Sequence, residues 1–422
     1  MNFKESAQAI MNLGVSNRNV DLSVYPRRVA ELLQNQGFDP NQFKFFHVTG
    51  SKGKGSLSRT IFQLLTAERH KVGLFTSPHI FSIRERFEDN DGLISEQDFI
   101  NLVNKYLPLF RQYELHFFEA CLFLALVYFS SRNLEYVVLE VGIGGRFDPT
   151  NFCVPECALI GHISMEHRDF LGDTIQKIAY DKAGIMKPGI LTFSADQSHE
   201  VRKIFEDENK GKLIFFHDAV SLENFEVSKN GCFFDLYVKS GNKVAQFPKI
   251  FLKRLSYANV YNFCLAVAAV EHVLGSLSQD SVNKTAVQSI PYRMQLFDGP
   301  VLADTAHNGQ SFLNLCRTLD EWLQWKDVIL YVSVMDNKEF QDIADVLAEY
   351  RHLWSEIRVF DFETPGRKIS GGIQLYEKLD NMAAVYLGIL DDSQMVRLVP
   401  YTCWAGSFYS IPLFESIRML SL

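Results

Sequence analysis

The chain has 422 residues, of which 47% are hydrophobic and 22% charged, a composition typical of a globular protein with two or three domains. Its 42 basic and 50 acidic residues give a formal net charge of −8, which argues against nucleic acid or an anionic membrane as a partner. The longest apolar run, 120–129, is too short to cross a bilayer, and seven cysteines do not suit a disulfide framework. We therefore expect a cytoplasmic protein with reduced cysteines.

The first half of the sequence predicts alternating strands and helices, the pattern of a mostly parallel sheet. The predicted strands are 43–48, 72–75, 135–141 and 158–163, and the predicted helices begin near Ser56 or cover 117–130 and 174–186, the last with Asp173 or Thr174 as its N-cap. Between 213 and 247, β-rich runs are interrupted at Asn230-Gly231 and Ser240-Gly241-Asn242, which predicts a small antiparallel excursion. A helix from 257 to 274 follows it.

A second α/β domain is predicted after Pro291. Its strands are 300–303, 328–334, 357–362 and 384–389, and a helix covers 339–350. Because Asp298-Gly299-Pro300 interrupts any regular element, we place the boundary between residues 296 and 297.

The segment 48–56, VTGSKGKGS, connects a predicted strand to a predicted helix. Its glycines allow backbone N–H groups to turn inward and the helix N-terminus adds a partial positive charge, which together favour a bound polyphosphate. Lys54 can reach the outer phosphates, and Ser56 can offer its hydroxyl to Mg²⁺. The strict P-loop has four residues between its first glycine and Gly-Lys, whereas this segment has two. A tight turn with two solvated lysines is the alternative interpretation.

Other polar residues follow predicted strands at their carboxyl ends, where open α/β sheets bind ligands. Glu140 ends one strand and could bind Mg²⁺, or it could merely cap a helix. Ser77 and His167 follow two other strands, although a lone serine or histidine is more often structural. Lys182 lies on the apolar face of a helix, so its ammonium either reaches solvent along its own stem or has a use for its charge.

Two further groups are less specific. Cys153 and Cys157 with His162 could suggest zinc, but no second pair accompanies them, so buried thiols are the simpler interpretation. Residues 304–308, DTAHN, follow a short apolar strand and offer acceptors for a ribose and a donor toward phosphate. An Asx turn before a helix explains the same residues equally well.

Taken in order, nine motifs resemble those of the folylpolyglutamate synthase/dihydrofolate synthase family, within the Mur ligase superfamily. They are VTGSKGKGS (48–56), TSPHIFSIRERF (76–87), FFEA (117–120), EVGIGGRFDPTN (140–151), MEHRDFLGDT (165–174), YDKAGIMKPG (180–189), PYR (291–293), DTAHN (304–308) and GSFYSIPLF (406–414). The resemblance extends from about residue 20 to 415. It implies an α/β protein with a Mur ligase-type P-loop domain for ATP and pterin (1–296), which includes the antiparallel excursion, and a smaller Rossmann-like C-terminal glutamate ligase domain (297–422).

The resemblance also implies roles for individual residues. The residues that match ATP-binding positions are Gly50, Ser51, Lys52, Gly53, Lys54, Gly55, Ser56, Asn262, Arg293 and Asp304. The residues that match Mg²⁺ ligands, for two expected ions, are Ser77, Glu140 and His167. The residues that match the pterin pocket are Phe118, Glu119, Ala120, Cys121, Phe147, Asp148 and Pro149. Lys54, Lys182 and His307 are expected to act in catalysis, Lys182 as the lysine that this family carbamylates.

The implied reaction joins L-glutamate to the carboxylate of a pterin or folate through an acyl phosphate, with release of ADP and phosphate by a monomeric enzyme. Another Mur-type amide ligase that acts on a cell-wall precursor is the nearest alternative. A P-loop motor or switch and a catalytically inactive binding protein are alternatives of other classes. The chain departs from the family motifs at Ser51, Lys52, Cys121, Glu166, Ala258, Asn259, Tyr292 and Thr305.

Overall fold

The structure is a computed structural model that describes residues 1–14, 22–39, 42–241, 243–336, 340–364, 367–380, 382–391 and 398–421. The α-helices are α1 (Phe3–Met11), α2 (Tyr25–Asn35), α3 (Lys54–Ala67), α4 (Glu96–Gln112), α5 (Phe117–Ser131), α6 (Arg168–Leu171), α7 (Ile175–Ala183), α8 (His199–Glu208), α9 (Phe216–Ala219), α10 (Tyr257–Leu274), α11 (Gln279–Ala286), α12 (Gly309–Arg317), α13 (Phe340–Glu349), α14 (Gly372–Tyr376) and α15 (Ile411–Ser421). Asn242 and Glu339, which belong to two of the predicted elements, lie outside the described residues.

The strands alternate with these helices, which confirms the α/β class. They are β1 (Lys44–Thr49), β2 (Val72–Phe75), β3 (Glu88–Asp89), β4 (Gly92–Leu93), β5 (Tyr136–Glu140), β6 (Cys157–Ile160), β7 (Leu191–Ser194), β8 (Lys212–Phe215), β9 (Val220–Ser228), β10 (Gly231–Ser240), β11 (Lys243–Leu252), β12 (Gln295–Phe297), β13 (Val301–Asp304), β14 (Val328–Ser333), β15 (Trp354–Thr364), β16 (Arg367–Ile369), β17 (Ala384–Ile389) and β18 (Thr402–Gly406). Within the described ranges, no helix combines the length and the apolar character needed to span a bilayer.

The first sheet has the strand order β4-β3-β2-β5-β1-β6-β7-β8. The six strands from β2 to β8 in this order run parallel, and the short strands β3 and β4 are antiparallel. Strand β1 lies between β5 and β6, with Val48 opposite Glu140 and Thr49 opposite Ile160. The segments that leave these strands therefore begin at the same edge of the sheet.

Helix α5 covers one face of this sheet. Residues 119–129 are all buried, as expected for a helix that is apolar on every side. Phe45, Val137 and Leu139, which are alternate residues of two neighbouring strands, belong to the same apolar core as this helix. The length of the apolar run correctly predicted a buried helix instead of a strand.

The antiparallel excursion is a three-stranded sheet with the order β11-β10-β9. The prediction began it at residue 213, which is wrong, because Leu213 lies in β8 and β8 pairs in parallel with β7. Helix α8 connects β7 to β8, and a helical crossover of this length allows the second strand to run parallel to the first. The excursion therefore begins at Val220.

The contacts divide the chain into two compact units. The first comprises Met1–Glu223, Asp235–Pro248 and Tyr261–Thr285, and the second comprises Asn224–Phe234, Lys249–Val260 and Ala286–Leu422. The second unit contains a seven-stranded sheet with the order β12-β13-β18-β14-β15-β16, in which β17 also pairs with β15. The boundary between residues 296 and 297 stays a prediction.

Candidate functional site

The predicted phosphate loop connects β1 to α3 in the first unit. Gly53 precedes α3 with a φ of 84°, and no side chain caps this helix, so its first N–H groups are presented to an anion. The loop packs closely on the segment after β6, because a Cβ on Gly50 would lie 2.8 Å from the Cα of Gly161. The N–H groups of Ser51 and Lys52 both donate to the carbonyl of His162, at 3.0 and 3.1 Å.

Two ammonium groups share one carbonyl at this loop. Nζ of Lys54 and Nζ of Lys182 lie 2.7 and 3.1 Å from the oxygen of Gly50. Lys182 is completely buried, and its Nζ forms an ion pair with the carboxylate of Glu166 at 2.8 Å. Burial lowers the pKa of Lys182. Burial raises the pKa of Glu166, but Lys182, Lys54 and His167 outweigh it and lower that pKa to about 2, so Glu166 is a carboxylate.

Glu140 and Ser77 lie together beside the start of α3. The N–H of Ser77 donates to Oε2 of Glu140 at 3.1 Å, and a Cβ on Gly55 would lie 3.5 Å from Oε1. Glu140 is only 3% exposed. A carboxylate and a hydroxyl are hard oxygen donors that suit Mg²⁺, which commonly takes one or two carboxylates and completes its shell with phosphates and water. This arrangement therefore fits the predicted ion.

His167 and Asn262 occupy different positions in the same unit. His167 has a φ of 44° immediately before α6, and its Nε2 lies 4.0 Å from Oε2 of Glu166. Asn262 lies against the start of α3, since a Cβ on Gly53 would be 2.6 Å from its Oδ1. In the described part of the chain, no three His, Cys, Asp or Glu side chains group closely enough to hold a metal, and all seven cysteines are buried free thiols.

The loop after β5 contains several of the predicted pterin residues. Phe118 contacts this loop, because a Cβ on Gly142 would lie 2.9 Å from its ring. Phe147 is 37% exposed and lines a cavity of about 460 Å³ with Phe170 and Tyr180. Asp148 is buried and begins a 3₁₀ turn that contains Pro149 and ends at residue 152.

The other predicted pterin residues lie in the interior. The carboxylate of Glu119 accepts the N–H of His116 at 3.0 Å, and it lies 3.5 Å from Nε of Arg28. Ala120 and Cys121 are fully buried in the apolar core, because α5 is apolar all round. Burial raises the pKa of Cys121 to about 12, so its thiol is neutral.

Arg293, Asp304 and His307 belong to the second unit. Asp304 ends β13 and accepts the N–H of Met294 at 2.8 Å. Arg293 donates to the hydroxyl of Thr305 at 2.5 Å, and Nδ1 of His307 lies 2.8 Å from the carbonyl of Thr305. Asn308 is the N-cap of α12 and accepts the N–H of Ser311 at 3.1 Å, and the nucleotide role of Asp304 and His307 stays a prediction.

Sequence reasoning missed two contributors to the first unit's site. It treated Glu166 only as a departure from a motif, although its place directly before His167 and after β6 would have located it at this edge of the sheet. It also missed the carbonyl of His162, which pairs with two N–H groups of the phosphate loop. Arg293 and Phe408 form a further contact in the second unit, with the guanidinium 4.5 Å from the ring centre.

Comparisons with known proteins decide the family. A family profile described as the Mur ligase middle domain matches residues 48–270, more than half of the chain. The chain is 29% identical over 345 residues to the dihydrofolate synthase/folylpolyglutamate synthase of Bacillus subtilis, over 77% of this chain and 79% of that enzyme. The chain belongs to the folylpolyglutamate synthase/dihydrofolate synthase family of the Mur ligase superfamily. As a member of this family, it is an ATP-dependent ligase.

Solved structures agree with the family fold. The folylpolyglutamate synthase of Mycobacterium tuberculosis complexed with ADP superposes with a TM-score of 0.84 at 22% identity, over 99% of this chain and 98% of that one. An FPGS complex with AMPPCP and folate gives a TM-score of 0.80 at 23% identity over 100% of both chains. The predicted Mur ligase fold, with an N-terminal nucleotide-binding domain and a C-terminal domain, is confirmed.

Proposed function

We propose that this chain joins L-glutamate to the carboxylate of a pterin or folate. ATP would convert that carboxylate into an acyl phosphate, the amine of glutamate would attack its carbonyl carbon, and phosphate would leave. The observation that carries the proposal is the grouping of Lys54, Lys182 and Glu140 around the uncapped start of α3. The names of the curated relatives supply the substrates.

The first unit supplies a positive environment for the triphosphate. We assign phosphate binding to the first turn of α3, with Lys54 on the outer phosphates, because aligned N–H groups and an ammonium both favour negative charge. Glu140 and Ser77 would hold Mg²⁺ with His167, and a bound ion of this kind neutralises charge on the phosphates. In the second unit, we assign Arg293, Asp304 and His307 to the nucleotide.

Lys182 is the residue that we propose is carbamylated. Its neutral amine would add to CO₂ and lose a proton, so an ammonium becomes an anionic carbamate. The full burial of Lys182 supports this role, because burial disfavours the charged amine. The carbamate would lie beside the carboxylate of Glu166, so the modification calls for a cation such as Mg²⁺ between two anions.

For the pterin we propose the wall formed by Phe118, Phe147 and Pro149, of which Phe147 is the most exposed. Aromatic side chains bind flat rings through stacking and apolar burial. Asp148 would fix the shape of this wall, since its carboxylate accepts hydrogen bonds from the backbone of the loop itself.

We further propose that the enzyme is a monomer that works in the cytoplasm.

A single set of incubations tests the reaction. The full chain is given ATP, Mg²⁺ and L-glutamate with dihydropteroate, with tetrahydrofolate, or with a muramyl nucleotide, and ADP and product mass are measured. We expect ADP and a product heavier by one glutamyl residue with at least one pterin. Ligation of the muramyl nucleotide alone would establish the cell-wall alternative. ATP turnover without any acceptor would indicate a motor or switch, and binding of ATP without turnover would indicate an inactive binding protein.

Two matched variants connect this activity to the proposed metal site. Glu140→Gln should abolish ADP release without unfolding the chain, because an amide binds Mg²⁺ far less strongly than a carboxylate. Glu135→Gln makes the same change immediately before the same strand, where the side chain is 41% exposed and pairs with Lys44 at 3.0 Å. It should keep its activity. Equal turnover in the two variants would contradict the role of Glu140.

A further inference from the structure

A buried chain of polar side chains connects the centre of β1 to the loop after β5. His47 is completely buried in β1, between Leu139 of β5 and Ala158 of β6. Its Nε2 lies 2.9 Å from the hydroxyl of Thr150. That hydroxyl lies 2.6 Å from Oδ1 of Asp148. The function described so far assigns no role to His47 or Thr150.

The number of protons available to these side chains decides the direction of their hydrogen bonds. Burial raises the pKa of Asp148 to about 6, so above that pH it is a carboxylate, which only accepts hydrogen bonds, and a threonine hydroxyl has one proton to donate. Since Thr150 donates to Asp148, it must accept from His47, which places the ring proton on Nε2. The other ring nitrogen, Nδ1, has no hydrogen-bond partner among the described residues. Burial lowers the pKa of His47 to about 3, which agrees with a neutral ring.

Asp148 connects Thr150 to the loop after β5 through further hydrogen bonds. Its Oδ2 accepts the N–H groups of Gly142 and Ile143, at 3.0 and 3.2 Å, directly after Glu140. Its Oδ1 also accepts the N–H of Thr150 at 2.9 Å. A donor that keeps the hydroxyl of Thr150 turned toward Asp148 therefore stabilises the backbone that follows the proposed metal ligand.

A second residue of β1 holds the same loop. Thr49 is two positions after His47, on the same face of the strand, and its hydroxyl donates to the carbonyl of Gly144 at 2.5 Å. Strand β1 then continues directly into the phosphate loop. On its other side the loop meets α7, since a Cβ on Gly145 would lie 3.0 Å from the carbonyl of Lys182.

We infer that His47 is a positioning residue of the ligase: through Thr150 and Asp148, it fixes the loop 142–148 relative to the phosphate loop. The loop contains the proposed pterin contact Phe147 and follows Glu140, so an error in its position would weaken pterin binding. The kinetic part of this inference rests on the proposed function. The hydrogen-bond chain itself does not.

Two substitutions of His47 by amide side chains distinguish a role as a hydrogen-bond donor from a role in packing alone. His47→Gln keeps an N–H donor the same number of bonds from Cβ as Nε2, whereas His47→Asn places the same amide where Nδ1 lies and cannot reach Thr150. We expect His47→Asn to raise KM for the pterin about tenfold or more, the effect of one buried acceptor left without its donor. His47→Gln should stay within about twofold of wild type, and neither should change the affinity for an ATP analogue by more than about twofold.

A merely structural role would lower thermal stability without separating pterin KM from nucleotide affinity. Equal pterin KM values in His47→Asn and His47→Gln would overturn the inference, and so would an equal loss of pterin and ATP binding. Thr150→Val gives a second variant. If the chain runs through Thr150, the double variant His47→Asn/Thr150→Val should be no worse than His47→Asn alone.

One measurement tests the hydrogen-bond chain from His47 to Asp148 even if the protein ligates no pterin. Nitrogen-15 spectra of the full-length protein labelled at histidine distinguish Nε2–H from Nδ1–H rings, and His47→Gln identifies the signal by its loss. At a pH well above 6, where Asp148 is ionised, we expect a neutral Nε2–H ring for His47. A charged ring or the Nδ1–H form would overturn the inference, whereas a wild type that ligates no pterin but shows the Nε2–H ring would refute only the proposed function.

Discussion

The buried ion pair between Lys182 and Glu166 makes the sharpest prediction about stability. Lys182→Met keeps the length and apolar stem of the side chain but removes its ammonium, which leaves the carboxylate of Glu166 without the partner that lies 2.8 Å away. The side chain of Glu166 is only 10% exposed, so water replaces little of that interaction. Removal of one partner from a buried pair is strongly destabilising because the other charge stays buried.

The pKa of Glu166 gives the size of the effect. Its neighbours hold it at about 2 against an ordinary value of 4.5, a difference that corresponds to about 3 kcal/mol. Removal of one partner of a buried pair costs about 3–5 kcal/mol, and Lys182→Met also relieves the burial of an ammonium whose pKa burial lowers, so we expect a net loss of about 2–3 kcal/mol. A depressed carboxyl pKa stabilises the fold above the unfolded pKa, so the loss should be complete above about pH 4.5 and should fade as the pH falls toward 2.

Native-state hydrogen exchange in peptides that cover α7, in buffer free of CO₂, measures this loss without assuming that both units unfold together. Lys177→Met is the matched control on the same helix, since its ion pair with Asp173 is largely exposed and should contribute less than about 1 kcal/mol. Lys182→Met/Glu166→Gln should recover most of the loss. An equal effect of Lys177→Met and Lys182→Met would refute the reasoning.

Two other substitutions test the phosphate loop and the buried histidine. Gly53→Ala should weaken the binding of an ATP analogue, measured by calorimetry, at least about tenfold, because φ is positive there and the new Cβ would lie 2.6 Å from Oδ1 of Asn262. Gly189→Ala is the control: its φ is also positive, but nothing lies within 4 Å of the new Cβ, so the affinity should stay unchanged. Burial depresses the pKa of His47, so between about pH 3 and 6.5 the folded protein binds fewer protons at this residue than the unfolded protein does. When the pH falls from about 6.5 to 4.5, the free energy of unfolding of wild type should therefore decrease by about 2–3 kcal/mol more than that of His47→Gln. Parallel pH curves in urea unfolding would contradict this.

Local patterns in the sequence predicted most of the regular elements. The bounds of α10 and β17 agree with the predicted 257–274 and 384–389. Thr174 is the N-cap of α7, one of the two predicted residues. The error at Leu213 arose because a β-rich run does not reveal its partner strand, which depends on the helix that precedes it.

The candidate site was predicted less completely, because its contacts join distant parts of the chain. The position of a residue at a strand end predicted that Glu140 and the phosphate loop would lie at one edge, and the structure places Glu140 beside Gly55. It did not predict that Ser51 and Lys52 would donate their N–H groups to the carbonyl of His162, which leaves the first turn of α3 to contact an anion. Such pairings follow from the packing of β1 against β6, and no local pattern encodes them.

Lys182 breaks the apolar pattern of one face of α7, and the structure gives a physical reason for it. An ammonium on an apolar helix face either reaches solvent or is used, and its complete burial excludes the first possibility. Around Gly50, the ammonium groups of Lys54 and Lys182 lie near the carboxylate of Glu166, and the carboxylate of Glu140 lies beside the start of α3, so two carboxylates accompany the two ammonium groups of the unmodified site. Carbamylation of Lys182 would exchange a cation for an anion and shift this balance toward negative charge. The two states of one lysine would then differ in how strongly nucleotide binding depends on Mg²⁺, which makes this side chain, more than the glycines around it, the feature that sets the electrostatics of the site.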